Sequence, residues 1–201
     1  MQLSKTAYYA DFAIYAIVLL VLISIAGLSA EWAERLKWVA AFTTGGATWT
    51  FLEYLLHRFV LHRLPIFTAM HAVHHASPRA FVGTPTWLTL AILWLVFFLP
   101  TWWGFSFNVA SGLIAGVMMG FLCYGILHHA IHHGRPRALA ALVSTCAHRH
   151  QQHHFSGQPG NFGVTIPLWD YLLGTVIHGR RVDQPRGRQK KTPIRTPAAD
   201  N

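Results

Sequence analysis

The chain has 201 residues, 53% of them apolar and only 11% charged, with a formal net charge of +9. That length fits one domain, and a composition so apolar excludes an ordinary soluble globule in favour of a chain solvated by lipid. The positive charge does not point to nucleic acid, because the basic residues are not interleaved with aromatics in any nucleic-acid-binding motif.

In chain order, residues 12–30 contain no Asp, Glu, Lys or Arg, and Tyr8 and Tyr9 stand at their edge. This predicts a first span at about 8–28, retained in the mature chain because no small-residue cleavage site follows it. After the charged stretch 31–37, a second apolar run covers 38–56, softened by Thr43, Thr44, Gly45 and Gly46, small residues that predict close helix packing. Glu53 is the one acid inside this run and stands four residues before His57, on the same helical face. An intramembrane carboxylate is a functional candidate by default.

Between Arg79 and Arg135 there is no charged residue at all. At about 1.5 Å rise per residue, that stretch is too long for one crossing of a core roughly 30 Å thick. Two spans are predicted, 86–104 and 107–127, with an interfacial break near Pro100, Trp102, Trp103 and Gly104. Four crossings place every histidine cluster on one face, together with Lys5, Arg58, Arg63, Arg79, Arg135, Arg137, Arg149 and the basic C-terminal tail. Only Arg35 and Lys37 lie opposite, so the positive-inside rule makes the histidine face cytoplasmic. Further on, 137–147 reads as a short helix, 158–163 as a loop, and 169–175 as too short and polar for a fifth span. The expected fold class is an all-α integral membrane protein of about four transmembrane helices under a cytoplasmic-face, histidine-rich cap. It forms a single domain over 1–178, followed by a basic, disordered tail over 179–201. Cys123 and Cys146 form no C-x-x-C pair and are read as reduced packing residues.

Four boxes carry the chemistry: His57-x-x-x-x-His62, His71-x-x-His74-His75, His128-x-x-x-His132 and His150-x-x-His153-His154. Spacings of three and four gather side chains on one helical face, so His128 and His132 can share a metal and His150, His153 and His154 read as a chelating triplet. A single buried histidine is an ordinary core residue, but four boxes on one membrane face need another explanation. Neutral imidazole suits iron, zinc, copper and nickel alike. Ten imidazoles exceed what one ion uses, and two ions with open positions are the economical reading.

In these boxes the sequence resembles the integral-membrane fatty acid hydroxylase and sterol desaturase superfamily of histidine-rich di-iron oxygenases. The resemblance runs from about Glu53 to Thr175 and includes Asn161-Phe162-Gly163-Val164-Thr165, Leu168-Trp169-Asp170 and Gly174-Thr175. It is nearest to the fatty acid 2-hydroxylases. It implies that the ten histidines ligate two ferrous ions, that O2 is co-substrate, and that a lipid acyl chain is hydroxylated. Zinc would substitute readily in a purified sample. His129, His133, His148 and His178 fall outside the implied ligand set. Asp170 and Glu53 are candidates for orienting ligand imidazoles through their second nitrogens. The segment 76–85 departs from the acyl-chain hydroxylases in being shorter and lacking an aspartate. No haem-binding segment precedes the first span, so the resemblance implies a separate electron donor, a cytochrome b5-like protein or a ferredoxin. A lipid or sterol desaturase, a carotenoid-ring hydroxylase and a non-catalytic metal-binding membrane protein are the alternatives.

Overall fold

A computed structural model describes residues 2–28, 31–134 and 140–179, with side chains from 143 in the last segment. The expected tail from residue 180 and the start of the 137–147 helix lie outside the described residues. Helix α1 (Lys5–Gly27) begins at Ser4, whose hydroxyl accepts the Ala7 amide at 3.1 Å. Helix α2 (Trp32–Leu55) runs without a break into a π turn, Leu56–Leu61. A short helix, α3 (Pro65–Ala76), leads to a third rod, Thr86–Gly104, made of α4 (Thr86–Leu93), a π turn (Trp94–Phe98) and α5 (Leu99–Gly104). The rod covers the expected 86–104 span, and Pro100 lies inside its last helix. The loosened turn before it absorbs the lost backbone donor, and the break comes at Phe105. Ser106 caps α6 (Phe107–His133), and α7 (Ala140–Phe155) and the one-turn α8 (Leu168–Leu172) complete the order. Among the described residues there is no strand, only an isolated bridge between Gln2 and Val82.

Lys5–Gly27, Thr86–Gly104 and Phe107–His133 are long and apolar enough to cross a membrane. Helix α2, expected as the second span, has the length but not the composition, because threonines and Glu53 dilute it. Its hydroxyls are nevertheless satisfied within the helix: Thr43 donates to Val39 O at 3.1 Å, Thr44 to Ala40 O at 2.8 Å and Thr50 to Ala47 O at 2.8 Å. It also runs parallel to α6, for Trp38 Nε1 donates to Ser111 Oγ at 3.2 Å near the start of both helices, and Trp49 packs on Gly120 further along. Helix α1 runs the other way, with Leu19 beside Trp38 and Ala115, and Tyr8 beside His129. All four rods thus present one end to the histidines.

The α2–α6 contact is made by backbone approach, the packing that the small residues of α2 predict. A Cβ on Gly45 would lie 2.1 Å from Leu113 O, and one on Gly116 would lie 2.0 Å from Phe42 O. Gly116→Ala is therefore expected to cost about 1–3 kcal/mol. Gly46→Ala, whose Cβ meets nothing nearer than 3.9 Å, is expected to be close to neutral. Thermal unfolding of the two variants in detergent measures the difference.

Candidate metal centre

The ten histidines of the four boxes come together at the shared end of the rods in two groups of five. His57, His62, His71, His75 and His153 form one; His74, His128, His132, His150 and His154 form the other. Within each group, one nitrogen per residue lies within 4.8 Å of all the others.

Helical phase explains the sorting. At 3.6 residues per turn, residues i and i+4 stand about 40° apart, while i+3 falls about 60° to the other side. The i, i+4 pairs 71/75, 128/132 and 150/154 each share a group, whereas His74 and His153 turn into the neighbouring one. Each three-histidine box therefore straddles both groups, so His150, His153 and His154 do not chelate as a set. In an α-helix, His57 and His62, five residues apart, would diverge by about 140°. The π turn from Leu56 to Leu61 bonds i to i+5 and brings their rings to 5.2 Å.

Ring orientation carries chemical information. His57 Nδ1 lies 2.6 Å from Phe162 O, and His153 Nδ1 lies 2.8 Å from Gly160 O. A carbonyl only accepts, so each Nδ1 holds the proton and each neutral ring aims the lone pair of Nε2 into its group. His71 Nε2 is approached by the Nε2 atoms of His57, His62 and His75 at 3.2, 3.1 and 3.0 Å. In the second group, His150 Nε2 is approached by those of His132 and His154 at 2.9 and 3.0 Å. One ring proton cannot satisfy so many converging nitrogens. A cation at the focus satisfies them all, and the donor set fits iron. Burial, reinforced by neighbouring imidazoles, holds His74 down at about 3 and His75 at about 4, and pushes His71, His153 and His154 lower still. These rings are neutral donors near neutral pH.

The loop 160–165 supplies the carbonyls and is itself held by the two acids singled out in the sequence. Asp170, fully buried, accepts the Phe162 and Gly163 amides at 2.9 Å each and the Thr175 hydroxyl at 2.7 Å, with Arg149 at 3.4 Å. Glu53 accepts the Val164 and Thr165 amides at 2.6 and 2.9 Å, and the Thr165 hydroxyl. Both carboxylates were expected to bond ligand imidazoles directly. Both instead accept from amides of the loop whose carbonyls orient His57 and His153, and Asp170 also accepts from Thr175 and Arg149. Asn161, with φ of 52°, donates to Gln152 Oε1 at 3.0 Å and accepts the Ile177 amide at 3.1 Å, locking the loop to α7 and to the segment after α8.

Of the histidines outside the boxes, His129 pairs through Nδ1 with Tyr8 OH at 3.2 Å and His133 stacks on Phe81, while His178 is exposed. Below the two groups lies a cavity of about 230 Å³, lined by His57, His71, His74 and His128 on one side and by Tyr15, Trp49 and Phe121 on another. Tyr8 and Asp11 also line it. Tyr8 was read only as an aromatic at the edge of the first span and Asp11 was not singled out, although an acid at the margin of a long apolar run was the available signal for it.

A family model described as fatty acid hydroxylase matches residues 38–175. The chain is 32% identical over 155 residues to a fatty acid 2-hydroxylase of Mus musculus, covering 69% of this chain and 40% of that one. It is 30% identical over 186 residues to a dihydroceramide fatty acyl 2-hydroxylase of Arabidopsis thaliana, covering 87% and 75%. Among solved structures, full-length scs7p, of which only the hydroxylase domain is visible, superposes with a TM-score of 0.71 at 24% identity, over 89% of this chain and 70% of that one. This structural likeness speaks for the fold.

Proposed function

The chain belongs to the fatty acid hydroxylase family, and from that premise we propose that it is a membrane-bound, di-iron, O2-dependent hydroxylase of a lipid acyl chain. The observation that carries this reading is the meeting of two five-imidazole groups with one side of an apolar cavity. The ten box histidines are the proposed ligands. Two iron ions held there would supply the oxidising chemistry that side chains alone cannot perform on an unactivated C–H bond. The protein does the rest. Loop 160–165 fixes His57 and His153, while Tyr15, Trp49 and Phe121 exclude water and hold the chain. His62, His75 and His154 are half-buried and do not line the cavity. Their edges face away from the substrate, on the side where a separate electron donor, a cytochrome b5-like protein or a ferredoxin, approaches. Helix α2 counts as the fourth span in this reading, and the histidine face is cytoplasmic, with Arg58, Arg63 and Arg79 around it.

Lipid mass spectrometry of cells expressing the chain or its His132→Ala variant tests the activity. A gain of one oxygen in acyl lipids, absent with the variant, is expected. A loss of two hydrogens or a change confined to carotenoids would overturn hydroxylation of an acyl chain. Metal uptake that tracked expression without any lipid change would overturn the enzyme reading.

A further inference from the structure

The cavity wall carries a group that the oxygen chemistry does not use. Asp11 stands in α1, three residues after Tyr8 and before the stretch that matches the family model, and it lines the same cavity as His57, His71, His74 and His128. Glu53, the other carboxylate on this wall, spends its acceptors on loop 160–165. Asp11 receives the Thr86 hydroxyl, and among the described residues no cation pairs with it. A carboxylate offers about four lone-pair sites, so acceptor capacity is left for a hydrogen supplied from within the cavity. Two other hydroxyls of this wall are engaged elsewhere: Tyr8 OH with His129 at 3.2 Å, and Thr84 Oγ1 with Thr89 Oγ1 at 2.8 Å.

The surroundings decide which ligand completes this acceptor. A second cavity of about 350 Å³ shares Met70, Val82, Gly83 and Thr84 with the first and is otherwise lined mainly by apolar side chains such as Ile66, Phe67 and Leu88. A long hydrocarbon has room to continue there. A lipid head bearing an O–H or N–H gives Asp11 a charge-assisted hydrogen bond in an apolar setting, where such bonds are strong. A free carboxylate head puts two like charges into the same low-dielectric space.

We propose that Asp11 determines the specificity of this cavity, accepting a hydroxyl or amide hydrogen from an uncharged lipid head and turning away free fatty acids. The proposal rests on the lipid-hydroxylase reading. It is tested by equilibrium binding of a radiolabelled N-acyl ethanolamide and of the free acid of the same chain length. The full-length protein in detergent is compared with Asp11→Asn and Asp11→Ala, and metal content is measured on the same samples to confirm an intact centre. Wild type is expected to hold the amide about tenfold more tightly than the acid, the discrimination one charge-assisted hydrogen bond carries. Asp11→Ala is expected to lose about that factor for the amide, and both variants to gain affinity for the acid. Equal affinities in the wild type, or a preference unmoved in both variants, would overturn the proposal alone. Wild type that held neither lipid would overturn the lipid-hydroxylase reading and the proposal with it.

Discussion

Protein purified without chelators from iron-replete cells is expected to carry about two metal ions per chain, and His71→Ala and His150→Ala about one each, because each removes the most crowded ring of one five-imidazole group. The double variant is expected to carry almost none. Hydroxylation should fall in every case by more than the roughly 10–100-fold that follows loss of an outer partner of a ligand. Elemental analysis per chain reads the stoichiometry. Wild-type protein that holds one ion or none, in iron-replete preparations, would overturn the assignment of two ions.

Asp170→Ala is expected to be the most damaging change away from the imidazoles. It strips acceptors from the Phe162 and Gly163 amides and leaves the Arg149 guanidinium buried beside an apolar methyl group. Breaking a buried ion pair from one side costs about 3–5 kcal/mol. The loosened loop would also release the carbonyls that hold His57 and His153, lowering metal retention by about 10–100-fold. Asp170→Asn keeps one acceptor oxygen and should fall between the two. Unfolding temperature in detergent and the chelator concentration needed to strip the metal separate these effects. Wild-type values for both in Asp170→Ala would show that the loop is held by other means.

The helical framework was legible in the sequence because charge-free runs and their lengths are direct consequences of a lipid solvent. The ten box histidines were legible as a set for a similar reason, since i, i+4 spacing is a property of the helix itself. The division into two groups was not. It depends on which way each helix is rotated about its axis, and that is settled by packing such as the Gly45 and Gly116 contacts between α2 and α6. The pairing of His57 with His62 does not follow from α-helical spacing, because it depends on the π turn Leu56–Leu61, which has no sequence signature. The roles of Glu53 and Asp170 were half legible: an acid within an apolar run marked Glu53 and the family-like Leu168-Trp169-Asp170 motif marked Asp170, but their partners come from a loop more than a hundred residues away in one case and eight in the other.

The sorting of the histidines also imposes an order in time. Each group takes its last members from α7, so a nascent chain that has not reached residue 150 can offer four imidazoles of one group, His57, His62, His71 and His75, and three of the other, His74, His128 and His132. The carbonyls that set His57 and His153 are made later still, after residue 159. At roughly 5–20 residues per second of synthesis, all four rods are made before α7 can complete either group. If the two groups hold the proposed ions, neither can be fully ligated until α7 is made, and a ribosome stalled before α7 would expose partial sets of four and three imidazoles.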